Sequence, residues 1–228
     1  MINIIVPLAI KHKDINTYPI YLNNYNNRMI IEHVINNYKE IDQQNNKMIF
    51  IIHKDSCIKF NFDKTLDLIR PKNSKIIVLN NYTHGAPCSV MMAIDEINFD
   101  DELLVVNSDQ ILNIDLSKKI KDIRENNVDG CSLIVDSAHP RWSYVKIDKN
   151  NFIYHAEEKK PISRNAIAGF YYYKRAENFF NNCMEMIENN TRYKNNFYLS
   201  HIYNEMILSG LNIYAIKIRN KDLLSFHK

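Results

Sequence analysis

Glycine and cysteine are both scarce in this sequence of 228 residues, and each shortage argues against a class of protein. Only four glycines occur, the first of them Gly85, and no P-loop is present. The four cysteines are widely spaced and form no Cys-x-x-Cys pair, which argues against a zinc site and a disulfide framework. The simplest expectation for such a chain is a reduced, cytoplasmic compartment.

Long apolar runs are also missing. Apolar runs such as those at residues 48–52 and 76–79 are far too short to cross a bilayer. The N-terminal segment MINIIVPLAI has no basic region and no small-residue cleavage site, so we interpret it as a buried strand. The formal net charge of +3 is too small to indicate nucleic-acid binding, although it suits a protein that handles phosphorylated small molecules. We therefore expect neither a membrane span nor a nucleic-acid partner.

Strand-like and helix-like segments alternate through the first part of the chain. The pattern predicts strands at residues 2–10, 47–52, 75–79, 102–106 and 130–135. It predicts helices at residues 29–38, 57–69, 88–97 and 116–126. Such alternation indicates βαβ units and a mainly parallel sheet, with ligands at the carboxyl ends of the strands.

After residue 135 the pattern changes. It predicts a hairpin at 142–148 and 152–156, a Tyr-rich strand at 166–173, helices at 176–188 and 198–208, and a closing strand at 212–218. We predict a single domain over residues 1–228 that shares one sheet. Residues 1–135 would form a nucleotide-binding half, and residues 136–228 an acceptor-binding half.

Asp109 is the strongest candidate for a metal ligand. It lies in the segment VVNSDQ, where the apolar run of a predicted strand gives way to polar residues. A carboxylate at that point can hold Mg²⁺, a cation that prefers oxygen ligands and usually shares them with phosphates. The alternative is that Asp109 caps the helix or turn that follows.

The segment THGAPCSV precedes a predicted helix. Gly85 allows a ligand to approach the backbone closely, and the helix N-terminus offers N–H groups to an anion or a base edge. The alternative is an ordinary turn between a strand and a helix.

Two further segments carry candidate binding residues in the second half. In AEEKKP, Lys159 can pair with phosphate and Glu158 can hold sugar hydroxyls, although a solvated run of charges is the alternative. In AHPRWSYV, the only tryptophan, Trp142, lies near Tyr144. Their rings can stack on a base or a sugar, and a hairpin at the edge of the core explains them equally well.

These segments, taken in order, resemble the sugar-phosphate nucleotidyltransferases, and most closely the branch found in capsule and lipopolysaccharide gene clusters. The similar segments are IIVPLA, THGAPCSVMMA, LLVVNSDQ, HPRWSYV, EEKKPISRNAIAGFYYY and NNFYLSHIYNEMILSG. The resemblance implies an α/β fold, a Rossmann-like three-layer α/β/α sandwich with a mixed, mainly parallel sheet of the glycosyltransferase-A type. It also implies transfer of a nucleotidyl group from a nucleoside triphosphate to a sugar-1-phosphate or related phosphorylated acceptor. Pyrophosphate would be released, and the product would be a precursor of a surface glycan.

The resemblance implies roles for individual residues as well. Asp109 would bind Mg²⁺, the expected cofactor, and would act in catalysis together with Lys159. The nucleotide would be bound by Leu8, Ala9, Thr83, Gly85, Ala86 and Ser108. The acceptor would be bound by Trp142, Tyr144, Glu158, Lys159 and Gly169. A homodimer is a further expectation, because many relatives self-associate.

The N-terminal loop departs from the family pattern. There the first strand leads into a Gly-rich loop with a catalytic arginine and then a Pro-Lys pair, whereas here no arginine precedes Arg28 and Pro19 is followed by isoleucine. Lys11 and Lys13 are the catalytic cations that would take the arginine's place, without its bidentate fork.

The second metal ligand of the family is also not evident in this sequence. Three residues are candidates for its place: Asp115, Asn196 and Glu205. Because of these departures, two alternatives stay open, a glycosyltransferase of the same general fold that uses a nucleotide-sugar and a non-catalytic nucleotide-binding relative.

Overall fold

Thirteen strands are found in the computed structural model, which describes residues 1–10 and 18–226. In chain order they are β1 (Ile2–Pro7), β2 (Asn24–Tyr25), β3 (Arg28–Met29), β4 (Asn46–His53), β5 (Ser74–Leu79), β6 (Glu102–Val106), β7 (Gln110–Leu112), β8 (Gly130–Asp136), β9 (Ser143–Ile147), β10 (Ile153–Glu158), β11 (Asn165–Tyr173), β12 (Ile213–Lys217) and β13 (Leu223–Ser225). Nine of them form the central sheet, and the pairs β2–β3 and β7–β13 form two small sheets.

The central sheet is mixed. Its order is β10-β9-β11-β6-β1-β4-β5, and β8 joins it by pairing with both β11 and β12. Strands β1, β4, β5 and β6 are parallel to one another, as are β8 and β12, while β11 is antiparallel to β6, β8 and β9. Since β10 is also antiparallel to β9, only β10 and β11 run against the other seven. The predicted mixed, mainly parallel sheet is confirmed.

Seven α-helices cover the sheet within the described residues. They are α1 (Ile30–Tyr38), α2 (Lys54–Phe60), α3 (Phe62–Ile69), α4 (Ala86–Met91), α5 (Leu116–Glu125), α6 (Ala176–Glu188) and α7 (Leu199–Leu208). None of the helices in this part of the chain has the length and apolar character needed to cross a bilayer.

The two faces of the sheet have separate cores, which follow from the alternation of side chains along a strand. In β6, Leu104 and Val106 pack in a cluster with α1, α3 and α5, whereas Leu103 and Val105 pack in a second cluster with α4, α6 and α7. Both clusters consist of buried, mostly aliphatic and aromatic side chains. This arrangement confirms the predicted three-layer α/β/α sandwich.

The local predictions need four corrections. The first strand ends at Pro7 and not at residue 10. The helix predicted at 57–69 is two helices, because Asn61 adopts the left-handed conformation (φ 48°) that asparagine tolerates better than most residues. The helix predicted at 88–97 ends at Met91 and is followed by a short 3₁₀ turn at Ile94–Glu96. The two small sheets were not predicted, since their strands of two or three residues carry no periodic signal.

Strand β10, which among the described strands pairs only with β9, is covered by a side chain from α7. The carboxamide of Asn204 accepts a hydrogen bond from the Ala156 N–H at 2.8 Å and donates one to the Ala156 carbonyl at 2.9 Å. One asparagine thus satisfies both backbone groups of a residue in this strand.

Candidate functional site

A cavity of about 380 Å³ lies at the carboxyl ends of β1, β5 and β6. Its lining includes residues at or after the ends of these strands, among positions 7–10, 83–89 and 107–110, and continues on β9, β10, β11 and the segment before α7. Open α/β sheets bind their ligands at this edge. Both the 1–135 and the 136–228 range contribute to the lining.

The structure brings together nine of the residues to which the sequence resemblance assigned a role in catalysis or binding. The cavity is lined by Ala9, Thr83, Gly85, Ala86, Ser108, Asp109, Trp142, Glu158 and Lys159. These residues come from five separate segments of the chain, so the fold is what makes them neighbours. Their individual roles stay predictions.

Asp109 lies in the short turn between β6 and β7, and its backbone carbonyl accepts a hydrogen bond from the Phe226 N–H at 3.0 Å. It does not cap a helix, because the next element is strand β7. The next helix, α5, has Asp115 as its N-cap, with the carboxylate accepting from the Lys118 N–H at 2.9 Å. The helix-capping alternative for Asp109 is therefore wrong.

The three candidates for a second metal ligand differ in their hydrogen bonds and in their position relative to the cavity. Asp115 is engaged as the cap of α5 and does not line the cavity. Glu205 is buried on α7, where it accepts hydrogen bonds from Asn189 at 3.3 Å and Thr191 at 3.4 Å. Asn196 is the member of this set that lines the cavity.

Gly85 precedes α4 with φ at +122°, a conformation that residues with a side chain rarely adopt. An added Cβ would collide with the backbone carbonyl oxygen of Phe197. The turn is closed by Thr83, whose hydroxyl donates to the Gly85 carbonyl at 3.0 Å and lies 2.7 Å from the Ser89 hydroxyl. The glycine is therefore required by the turn and by its contact with the Phe197 backbone, as expected for a turn between a strand and a helix. The same segment also lines the cavity.

Glu158 is a buried carboxylate, only 4% exposed, at the end of β10. It accepts hydrogen bonds from the hydroxyls of Ser143 and, at 3.2 Å, Ser200. Burial raises the pKa of Glu158, against the opposing effects of these hydroxyls and of Lys159. The alternative of a solvated charge run is therefore wrong at Glu158.

Lys159 follows in a left-handed conformation, with φ at 54°. Its N–H donates to the Trp142 carbonyl at 3.0 Å, and its ammonium nitrogen lies 5.3 Å from the centre of the Tyr198 ring. These contacts direct the side chain along the cavity wall, where a cation over an aromatic ring is favourable.

Trp142 is 8% exposed and lines the cavity, with the guanidinium carbon of Arg141 4.8 Å from the ring centre. Arg141 and Lys159 are the two cations in the part of the lining that the structure describes. Asp109 and Glu158 are the two carboxylates there. The cavity thus combines both signs of charge with an aromatic wall.

Three of the predicted residues that the structure describes are not part of this lining. Leu8 and Tyr144 are fully buried, and the Tyr144 hydroxyl donates to the His139 carbonyl at 2.7 Å, which corrects the expected side-chain contact with a ligand. Gly169 faces the side chains of Asn107 and Gln110, so the close approach at this glycine is made by the protein itself. Lys11 and Lys13 lie outside the described residues.

Other lining residues were not predicted from the sequence: Asn107, Gln110, Arg141, Ser143, Tyr171, Tyr198 and Ser225. Asn107 and Gln110 flank Asp109 in one segment, which was a usable signal. Ser225 gave none, since it belongs to the three-residue strand β13.

Solved structures with this fold are found among nucleotidyltransferases. The chain is similar to a nucleoside-diphosphate-sugar pyrophosphorylase from Vibrio cholerae RC9, with a TM-score of 0.81 and 20% identity over 97% of this chain and 94% of that one. It is also similar to CMP:2-keto-3-deoxy-manno-octonic acid synthetase complexed with CTP (TM-score 0.67, 12% identity, 96% and 90% covered). A third is the inositol-1-phosphate CTP transferase from T. maritima (TM-score 0.71, 9% identity, 97% and 86% covered).

At these identities the likeness establishes a shared fold. No protein-family model matches the sequence. No curated protein matches it either.

Proposed function

We propose that this protein transfers a nucleotidyl group from a nucleoside triphosphate to a sugar-1-phosphate or a related phosphorylated acceptor. An oxygen of the acceptor phosphate would form a bond to the α-phosphorus, and the bond from that phosphorus to the β-phosphate oxygen would break. Pyrophosphate would leave with the bonding electron pair, and a nucleotide-activated compound would remain. Such a product suits the synthesis of a surface glycan, as the sequence resemblance implies.

One observation carries this proposal. Asp109, the turn at residues 83–86, and the pair Glu158–Lys159 line a single cavity at the carboxyl edge of the sheet. The reaction needs little covalent chemistry from the protein, so positioning and charge neutralisation supply most of the catalysis. The three solved structures named above support the proposal, because each is described as an enzyme that makes or cleaves a nucleotide-activated compound.

The nucleotide is assigned to the 1–135 side of the cavity and the acceptor to the 136–228 side. On the first side, Thr83 and Ser89 offer hydroxyls beside the backbone of Gly85. On the second, Glu158 would accept hydrogen bonds from sugar hydroxyls, and Lys159 and Arg141 would neutralise phosphate. Trp142 would lie against the acceptor as an apolar wall.

Mg²⁺ is the metal that the donor atoms suit, with Asp109 as the residue that would hold it. Within residues 1–10 and 18–226, no group of three or more His, Cys, Asp or Glu side chains is arranged to hold a metal ion. Proteins often bind Mg²⁺ through one or two carboxylates while substrate phosphates and water complete its shell. When bound, the ion would neutralise charge on the phosphates.

The test is release of pyrophosphate from the purified protein with Mg²⁺, each of the four common NTPs and a panel of sugar-1-phosphates. Turnover with at least one pair is expected, and the Asp109→Asn variant should lose it. The proposal is overturned if the folded protein releases no pyrophosphate with any combination in the panel. Thermal stabilisation by UDP- or GDP-sugars with none by NTPs would then indicate a glycosyltransferase, and tight nucleotide binding without turnover a binding protein.

A further inference from the structure

Strand β13 brings a residue from the C-terminal part of the chain to the cavity. It pairs antiparallel with β7, and in this register Ser225 lies opposite Gln110. Directly opposed residues of an antiparallel pair place their side chains on the same face. Both residues line the cavity, and Gln110 follows Asp109 in the chain.

Each of the two side chains has a buried oxygen atom without a hydrogen-bond partner among the described residues. The atoms are Gln110 Oε1 and Ser225 Oγ, and Gln110 as a whole is only 5% exposed. Buried polar atoms are satisfied in the great majority of cases, because an unpaired one costs free energy. Two such atoms on neighbouring strands at a cavity wall indicate a place where a ligand supplies the missing partner.

The backbone on the opposite side of this pair is shaped to fit it. Gly169 in β11 has φ at +57°, and a Cβ there would collide with Gln110 Oε1. The pairing of β11 with β8 also shifts register between Ile167 and Tyr171. The strand therefore bends at the residue that faces the Gln110 carboxamide, and a glycine at this bend leaves room for it.

We propose that Gln110 and Ser225 bind a hydroxyl group of the acceptor, an inference that rests on the proposed function. A carboxamide oxygen accepts hydrogen bonds, and a serine hydroxyl both accepts and donates, so the complementary group is a donor. Both residues are neutral, which suits a hydroxyl better than an ammonium group. Gln110 lies in the 1–135 range, whereas Ser225 and Gly169 lie in the same range of the chain as Trp142 and Glu158, which we assign to the acceptor.

The test compares wild type with Ser225→Ala and Gln110→Met. Calorimetry measures binding of glucose-, galactose- and mannose-1-phosphate to the full chain in Mg²⁺, and pyrophosphate release gives KM for any acceptor that is turned over. We expect the best acceptor to bind roughly three- to tenfold more weakly to each variant, as for loss of one neutral hydrogen bond. A monodeoxy analogue of that acceptor should bind wild type and Ser225→Ala equally well.

Thermal unfolding of the ligand-free protein separates a binding role from a structural one. Ser225→Ala should leave Tm unchanged or raise it, since it removes a buried hydroxyl that has no partner. The matched control is Ser132→Ala, because the buried Ser132 hydroxyl donates to the Phe170 carbonyl at 2.7 Å. That variant should lower Tm and leave acceptor binding unchanged.

Three results would overturn the inference. One is a Ser225→Ala variant that loses stability but binds the acceptor normally. Another is an equal loss of affinity for the NTP in these variants, which would indicate that Gln110 and Ser225 bind the nucleotide. The last is the absence of sugar-1-phosphate binding by wild type. If the acceptor binds and its deoxy analogue shows the expected effect, but no pyrophosphate is released, the hydroxyl-binding site is retained and the proposed reaction is rejected.

Discussion

The backbone carbonyl of Phe197 fills the space that a side-chain carbon on Gly85 would need. The Phe197 N–H donates to the His84 carbonyl at 2.7 Å, so the two segments are joined on both sides of this contact. The turn before α4 and the segment before α7 therefore form one wall of the cavity. We therefore expect a change at either residue to displace the other.

Gly85→Ala tests this contact. The substitution should destabilise the protein by roughly 1–3 kcal/mol, because it combines an unfavourable φ with a collision against backbone. Nucleotide binding should weaken as well, since the wall is displaced. Denaturant unfolding and calorimetry with each NTP measure the two effects. Gly210→Ala is the matched control, because Gly210 also has a positive φ but an added Cβ meets nothing within 4 Å. Equal losses in both variants would argue against a role for the Phe197 contact.

Asp109→Asn should lower nucleotidyl transfer by roughly 10²-fold or more, because the amide cannot neutralise a cation at the triphosphate. Thermal unfolding checks that the variant is folded. Asp115→Asn serves as the control, because asparagine caps a helix about as well as aspartate. An Asp109→Asn variant with wild-type turnover would remove this carboxylate from the mechanism.

Glu158→Gln should change how stability depends on pH. Burial raises the pKa of Glu158, so the folded state binds its proton more tightly than the unfolded state does. The stability contributed by this group is full below its unfolded pKa and is lost as the pH rises through the folded pKa. The Tm of the variant should therefore exceed that of wild type by a few degrees at about pH 7, and the difference should shrink towards about pH 5.

The comparison must be made as a difference between variant and wild type at each pH. Asp136 and Asp222 have pKa values lowered by hydrogen bonds from Arg164 and Arg219, so their contributions run in the opposite direction. A difference in Tm that does not depend on pH would contradict the prediction.

Lys159→Met should raise the KM for the acceptor about tenfold or more, since a cation near phosphate is lost from a partly enclosed site. The KM for the NTP should change less. Lys160→Met is the neighbouring control, because Lys160 is exposed and outside the cavity lining. Steady-state kinetics with each substrate varied in turn separates the two effects, and matching KM changes in the two variants would count against a specific role.

Trp142 should report ligand binding through its fluorescence, because it is the only tryptophan and lines the cavity. Titration with a sugar phosphate that binds the protein should change the intensity or the wavelength of the Trp142 emission. The signal should be lost in Trp142→Phe, which keeps an aromatic ring at the wall. An emission that stays constant while calorimetry detects binding would place the ligand away from this residue.

Most of the fold could be predicted from the sequence, because its strands and helices are long enough to show their period. Strand β6 and helix α6 begin and end at the predicted residues. The break at Asn61 was missed because the apolar pattern continues across it, and only the backbone conformation of one residue ends the helix. Position in sequence also could not show that Tyr144 is buried while its neighbour Trp142 reaches the cavity.

The residues of the candidate site also divide into those that the sequence could predict and those that it could not. Asp109, Glu158 and Lys159 were found because they stand in segments with a recognisable order. Ser225 and Gln110 were missed because their relation exists only through the pairing of two three-residue strands. The loop with Lys11 and Lys13 lies outside the described residues, so its part in the site stays a prediction.

The two hydrogen bonds between the Asn204 carboxamide and the backbone of Ala156 affect how two copies of this chain can associate. An unpaired strand edge is a template on which another polypeptide can extend a sheet, and this is a common route to aggregation. At Ala156 both backbone groups already have partners, so an incoming strand would have to displace the asparagine first. If two copies associate as a dimer, this edge is therefore poorly suited to joining their sheets, and side chains elsewhere would have to form the interface.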